Sequence, residues 1–420
     1  MNNHMSRRFS KLADFQSAAA LFQRLRGPPY PAAIKDGDKK NWYNISRPNK
    51  SGWLQVQANL PHKIYWAEYG NPHGEPVMIF HGGPGARASS SPVGYLNSQR
   101  YRAIIYGQRG GGDNEPNAGE YDATAALTDN TTPHLVDDIP KLFKELDIRS
   151  KMHLLGGSWG TTLAMAYAIK YPHTVQTIIM RAAFLCRKVD IDYFFQGNAA
   201  DFEHDPYAIP SAGAYLNPVL WDPWAKYVKA VPPEDRHDMV AAFAKIFSIV
   251  PQNNEERERV LKAARALADW DSSVRHLSPD RSYQDDEAVL RMYRIMIHYM
   301  MNDPLFGRNS EQNRGKGYIL NHVGRLSKIP MYIVHGEDDE ECHPHQARSL
   351  AHAARAVGNE NVNLILTKAG HGGGEDKTRT ALTRIMNDLP MMSRFDLGRR
   401  WYHRIRPQLV PPFPTQVAPR

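Results

Sequence analysis

Residues 156–160 read Gly-Gly-Ser-Trp-Gly, with the apolar run Met152-His153-Leu154-Leu155 before them and Thr161-Thr162-Leu163-Ala164-Met165-Ala166-Tyr167-Ala168 after them. The first run predicts a buried strand and the second a helix, so Ser158 falls on a strand–turn–helix bend. Such a bend forces the serine backbone into a strained conformation, and Gly156 and Gly160 give the clearance that side chains would block. The hydroxyl is then held at the carboxyl end of a sheet, with a helix N-terminus behind it to favour developing negative charge. The bland alternative, a glycine-rich turn whose serine merely caps a helix, is disfavoured by the strand and helix that frame the motif.

The remaining pattern surrounds this bend with more strands. Residues 54–56 and 64–69 predict an antiparallel hairpin, and 77–80 a short buried strand ending at His81-Gly-Gly-Pro-Gly85. Residues 101–106 predict a strand that runs into Gly107-Gln-Arg-Gly-Gly-Gly112. Leu135, Ile139, Leu142 and Leu146 recur at three- and four-residue spacing, which predicts a helix over 134–146. A strand follows at 177–180. From about residue 185 aromatics and acids dominate, and no strand pattern convinces until Pro330. Strands at 331–335 and 362–367 then alternate with helices at 345–356 and 379–389. Strands and helices alternating on both sides of a gap imply an α/β fold, a mostly parallel sheet covered on both faces. The 420 residues leave room for an insertion in that core. The expected organisation is a basic N-terminal extension (1–50), a core (51–185 and 319–390), a helical cap (186–318) and a basic, Pro-rich tail (391–420).

Net charge is +8, but residues 1–50 carry ten Lys/Arg against three Asp, and residues 391–420 six Arg against one Asp. The body between them is therefore mildly acidic, without the basic stripe and aromatic platforms that nucleic-acid binding needs. Two cysteines, Cys186 and Cys342, lie far apart and match no zinc spacing; they fit free thiols in a reducing, cytoplasmic setting. No apolar stretch reaches the length of a membrane span. Residues 1–26 place Phe9, Leu12, Phe15, Leu21 and Phe22 among basic residues in a roughly helical rhythm. Asp14 and few serines argue against an organelle transit peptide there, and a docking helix or disordered leader is the leading expectation.

A serine nucleophile needs a base, and the base needs an orienting carboxylate; on this sheet type they follow in the order Ser, acid, His. His371 lies in the loop after the strand at 362–367, flanked by glycines that allow close approach. The acid falls in the loop after the strand at 331–335, Gly336-Glu-Asp-Asp-Glu-Glu341, where spacing alone leaves several carboxylates open. Both loops lie at carboxyl ends of strands, where open α/β sheets hold ligands. The oxyanion donors are expected from the backbone N–H of Trp159 and from the Gly82-Gly83 loop, with Gly83 the favoured residue. Neither glycine cluster has the spacing of a nucleotide-binding loop. Cys342 reads as a small packing residue, not a nucleophile, because no base is spaced for it.

Taken together, His81-Gly-Gly-Pro-Gly85, Gln108-Arg-Gly110, Asn130-Thr-Thr132, Gly156-Gly-Ser-Trp-Gly160, Ser51-Gly-Trp-Leu54 and Ile64-Tyr-Trp-Ala-Glu-Tyr-Gly-Asn71 resemble the proline iminopeptidases (prolyl aminopeptidases). The similarity spans roughly residues 51–390. It implies an α/β-hydrolase fold with a helical cap, and release of N-terminal proline from a peptide or amide substrate without a metal or other cofactor. The family's Gly-Arg-Tyr-Asp falls on 336–339 and singles out Asp339 as the acid, and its Gly-His falls on Gly370-His371. The resemblance also implies a proline pocket with Arg181 and Phe184, and two cap glutamates that grip the free amine. Here Asp271 stands for the first and Met296 for the second. Gly107 stands where an Asp usually opens the Gln-Arg-Gly loop, and Ala182 where a glycine is expected. Asp201, Glu203, Asp205 and Asp269 keep the cap acidic, as a compensating carboxylate or, for the first three, as solvated helix faces. Met296 motivates an alternative, an esterase or amidase acting on a small neutral acyl compound. A catalytically silent binding protein is a distant third, since no member of the Ser-His-Asp set is missing.

Overall fold

A computed structural model describes residues 43, 47–56, 59–197, 199, 218–275 and 285–392. The leader at 1–26, the tail from 393 onward, and Asp201, Glu203 and Asp205 lie outside the described residues.

Eight strands form one sheet in the order β1-β2-β4-β3-β5-β6-β7-β8. They are β1 (Lys50–Val56), β2 (His62–Gly70), β3 (Glu75–Phe80), β4 (Tyr101–Tyr106), β5 (Met152–Gly157), β6 (Val175–Arg181), β7 (Met331–Gly336) and β8 (Val362–Thr367). β1 and β2 pair antiparallel, as do β2 and β4; every other pair is parallel. Strand position explains strand sequence. Edge strand β1 alternates, with Leu54 and Val56 buried and Trp53 and Gln55 exposed. Every residue of central β3 is buried, and its sequence is continuously apolar after Glu75-Pro76.

Helices α1 (Thr132–Glu145) and α2 (Trp159–Lys170) pack on the sheet within the first half of the chain. α2 is buried along its whole length from Trp159 to Ile169, which is why it is apolar all round. Between β6 and β7 the described chain is helical, with α3 (Lys188–Phe195), α4 (Trp221–Lys229), α5 (Met239–Phe247), α6 (Asn254–Val274) and α7 (Asp286–Asn302). Their N-termini are capped where the sequence supplies acceptors: Asp238 to Ala241 N, Asn253 to Glu256 N, and Asp285 to Glu287 N and Ala288 N. An aromatic cluster joins them, with Tyr227 stacked on Phe243 at 5.2 Å and Trp224 edge-on to Trp270 at 5.0 Å. α7 is bonded to loops that follow β4: Tyr299 Oη donates to Asn130 Oδ1 at 2.6 Å, His298 Nε2 lies 2.8 Å from Asn130 O, and Arg294 reaches the carbonyls of Ala118 and Tyr121. Helices α8 (His345–Ala356) and α9 (Asp376–Asp388) complete the layers. No described helix is long and apolar enough to cross a membrane.

Candidate active site

Ser158 follows β5 directly and has φ 56° and ψ −130°. A non-glycine residue at such angles carries roughly 1–3 kcal/mol of strain, held here by a hydrogen bond from its N–H to Arg181 O at 2.9 Å. The two motif glycines permit the bend by contact, not by flexibility. A Cβ at Gly156 would lie 2.6 Å from Gly160 O, and one at Gly160 would lie 2.1 Å from Phe80 O.

Asp339 and His371 come from the loops after β7 and β8, at the same end of the sheet. His371 Nδ1 lies 2.9 and 3.0 Å from the two Asp339 oxygens, and Asp339 also accepts from Cys342 N at 2.8 Å and Glu341 N at 3.1 Å. His335, wholly buried, supplies a further contact. Its Nδ1 accepts from Ala183 N at 3.1 Å, so the proton sits on Nε2, which donates to Cys342 O at 2.7 Å and lies 3.3 Å from Asp339 Oδ2. Burial alone would raise the Asp339 carboxyl, but the His371 charge and hydrogen bonds from His335 and His371 hold it well below the ordinary range. Arg181 Nη1 donates to His371 O at 2.6 Å and Tyr95 Oη to Gly373 O at 2.9 Å, fixing the His371 loop from two sides. Among the described residues Ser158 Oγ makes no hydrogen bond, and His371 Nε2 instead lies 3.2 Å from Glu341 Oε2.

Because β3 neighbours β5, the Gly82-Gly83 loop abuts Ser158; a Cβ at Gly82 would lie 3.3 Å from the serine Cβ. Trp159 opens α2, and its indole donates to Gln108 Oε1 at 2.9 Å. Gln108 Nε2 donates to His81 O at 2.9 Å, Gln108 N to His81 Nε2 at 3.2 Å, and His81 Nδ1 to Gly82 O at 2.8 Å. The Gln108 loop thus ties Trp159 to the glycine loop. Burial lowers His81 to about 4, which keeps it neutral and in this pattern at neutral pH. Arg109, buried, forks onto Asp138 at 2.6 and 2.8 Å and stiffens the same loop. The missing Asp at 107 has a local explanation. A side chain there would meet Asn114 at 2.4 Å, and Asn114 instead donates to Gln108 O at 2.7 Å and accepts from Tyr65 N at 2.8 Å.

Two cavities meet at Ser158, sharing Gly83, Asp271 and Glu341 in their walls. The larger, about 340 Å³, is lined also by His371 and Arg181. The smaller, about 30 Å³, is walled by Phe184, Ile191, Phe194, Phe195, Met296 and Met300, with Cys342 beside them. Of the cap residues expected at the pocket, Asp271 and Met296 reach it, while Asp269 lines neither cavity. Asp271 Oδ2 accepts from Tyr293 Oη at 2.9 Å and from Arg275 Nη2 at 2.5 Å. Ligand atoms of Glu341, Cys342 and His371 lie within 4.8 Å of one another, a spacing a metal ion could span. Burial, with the charges of Asp339 and Glu341, raises the Cys342 thiol well above its ordinary range, so metal binding would have to displace a firmly held proton. His335, Tyr293 and Arg275 were not expected at the site from sequence, and Glu341 was expected there only as one of the carboxylates competing for the role of the acid. No sequence signal marked the first three.

The alpha/beta hydrolase fold family matches residues 75–376. The chain is 33% identical over 353 residues to the proline iminopeptidase of Neisseria gonorrhoeae, covering 83% of this chain and 98% of that protein. It is 32% identical over 343 residues to the proline iminopeptidase of Arabidopsis thaliana, covering 80% and 79% respectively. A proline iminopeptidase structure from Mycobacterium smegmatis aligns over 80% of this chain and 98% of its own, with 15% identity and a TM-score of 0.44. By its sequence relatives and its sheet, this chain belongs to the proline iminopeptidase family of α/β hydrolases.

Proposed function

We propose that the protein is a serine aminopeptidase that releases an N-terminal proline, or a similar small residue, from peptides or amides. The observation that carries this reading is the small apolar cavity of about 30 Å³ that opens on Ser158 with Asp271 at its mouth. A cavity holds one water per roughly 10–15 Å³ on that measure, so it suits part of one small ring and leaves no room for a continuing chain. A buried carboxylate at the mouth favours a free amine over a blocked one.

In this reading Ser158 Oγ attacks the carbonyl carbon and His371 Nε2 takes the hydroxyl proton. Asp339 holds the imidazole through Nδ1–H and stabilises its charge. The backbone N–H groups of Gly83 and Trp159 receive the oxyanion, each contributing about 3 kcal/mol to the transition state. The departing peptide amine leaves with the proton from His371, through the larger cavity. Water then repeats the sequence on the prolyl ester and regenerates Ser158. Phe184 and Met296 pack against the ring, and Arg181 acts by positioning the His371 loop. The free, buried thiols of Cys186 and Cys342 support a reducing setting, the cytoplasm.

The second reading, an esterase or amidase for a small neutral acyl group, is favoured by Met296, which leaves that wall of the cavity uncharged. Purified protein assayed with Pro-β-naphthylamide and with p-nitrophenyl acetate separates the two. Release of naphthylamine is expected. Ester turnover without it refutes the aminopeptidase reading, and a wild-type-like rate in Ser158→Ala refutes both.

A further inference from the structure

We propose that Glu341 is a substrate-binding carboxylate, and that it and Asp271 together hold the protonated N-terminal amine. The proposal rests on the aminopeptidase reading and deepens it. The carboxylate comes from the loop after β7, which meets the end of α6 at Arg275, and not from the cap helices themselves.

Position comes first. Glu341 and Asp271 both line both cavities, at their junction beside Ser158. In an N-terminal residue the amine lies two bonds from the reacting carbonyl carbon, about 2.5 Å away. A carboxylate gripping it through a charge-assisted bond of about 2.8 Å must therefore sit about 5 Å from that carbon. Glu341 Oε2 lies 3.2 Å from His371 Nε2, the atom that must reach Ser158 Oγ, and shares both cavity walls with Ser158, so it borders the space in which that amine would sit.

Need comes second. Glu341 Oε2 is buried and has no hydrogen-bond partner among the described residues. Its neighbours are one guanidinium, with Arg275 Nε at 3.5 Å, and the His371 ring. That guanidinium bonds Asp271 Oδ2 through Nη2 at 2.5 Å and Asp271 O through Nε at 3.3 Å, so its contact with Glu341 is an ion pair without a hydrogen bond. Burial, and the nearby charges of Asp271 and Asp339, raise the Glu341 carboxyl to about 7 against the pull of His371 and Arg275. A carboxylate in that condition gains from any added cation, and the cation that a peptide N-terminus brings is its ammonium group.

Consequence comes third. His371 Nε2 faces Glu341 Oε2, while Ser158 Oγ has no hydrogen bond among the described residues. An ammonium group taken by Glu341 occupies the carboxylate and leaves Nε2 to the serine. Met296 supplies apolar wall instead of charge, and Glu341 supplies the charge from another part of the same cavity's lining.

The test is Glu341→Gln, which keeps shape and removes charge, assayed with Pro-β-naphthylamide and p-nitrophenyl acetate. The variant is expected to lose about ten- to a hundredfold in kcat/KM on the prolyl substrate, mainly through KM, and at least about tenfold more than it loses on the ester. Equal losses on the two substrates, or no loss on the prolyl one, overturn the proposal. Inhibition of ester turnover by prolinamide against N-acetylprolinamide reads the amine site without requiring peptidase activity. A wild-type preference for prolinamide that Glu341→Gln abolishes supports the site even if no naphthylamine is released, in which case only the aminopeptidase reading fails. Equal inhibition of the wild type by both compounds overturns the site.

Discussion

Gly160→Ala tests whether the contact between α2 and β3 sets the geometry of the reaction. The added Cβ would lie 2.1 Å from Phe80 O, 2.7 Å from the Phe80 carbonyl carbon and 2.9 Å from His81 O. Carbon–oxygen contacts settle at about 3.3 Å, so the shortfall is roughly 1 Å. All three obstructing atoms are backbone, at the end of β3 and the start of the glycine loop, so no side-chain rotation relieves it. α2 must move away from β3, carrying Ser158 and the Trp159 N–H away from Gly83. Overpacking of this kind costs about 1–3 kcal/mol of stability, or about 1–3 °C in Tm for a chain of this length. Displacing one oxyanion donor costs about 3 kcal/mol more at the transition state, about a hundredfold in kcat. Gly324→Ala is the control, because a Cβ there has nothing within 4 Å. Thermal unfolding and kcat on Pro-β-naphthylamide are measured for both variants. If Gly160→Ala matches Gly324→Ala in both quantities, the helix–strand contact does not position the site and the reasoning fails.

Two further predictions concern charge. Asp339→Asn should lower kcat by about 10⁴-fold by leaving His371 in the wrong tautomer. Since the folded value of Asp339 lies below its ordinary 3.8, its ionisation stabilises the fold above that value and the benefit is lost as pH falls below it. The variant should therefore lose less Tm than wild type between about pH 5 and pH 3, and equal losses contradict the assignment. Glu341 has the opposite sign: its carboxyl rises from 4.5 to about 7, so the folded protein keeps a proton that the unfolded chain releases. Stability contributed there falls as pH rises through that window. Glu341→Gln should flatten Tm between about pH 4.5 and pH 7, and parallel curves for variant and wild type would refute it.

The sheet was legible because its strands are short, apolar and bounded by glycine loops. The predicted limits of β4 and β8 match the observed ones, and the helix expected at 345–356 matches α8. Ser158 was legible because its strain is written locally, in two glycines on either side. Spacing did not pick out the acid, since the run from Glu337 to Glu341 is uniformly acidic; the family resemblance pointed to Asp339, and the turn out of β7 decides which carboxylate points inward. There Asp339 is buried, while Glu337 and Asp338 are exposed. Arg275 facing Glu341 joins residues too distant in sequence for any periodicity to pair them, and Asn114 stands in for a side chain at 107 within an irregular loop that has no periodicity to read. Met296 looked like a lost function because its compensation, if Glu341 supplies it, comes from another part of the chain.

Because α7 is bonded to Asn130, Ala118 and Tyr121, lifting the roof over Ser158 on that side would break those bonds. A protease with a swinging lid can close over the middle of a chain. One with a fixed ceiling and a 30 Å³ recess counts from the end of the chain instead, one residue at a time. Its safety toward the folded proteins around it would then be a matter of headroom, since an internal bond has a polypeptide on both sides and only one side of this site has space for it.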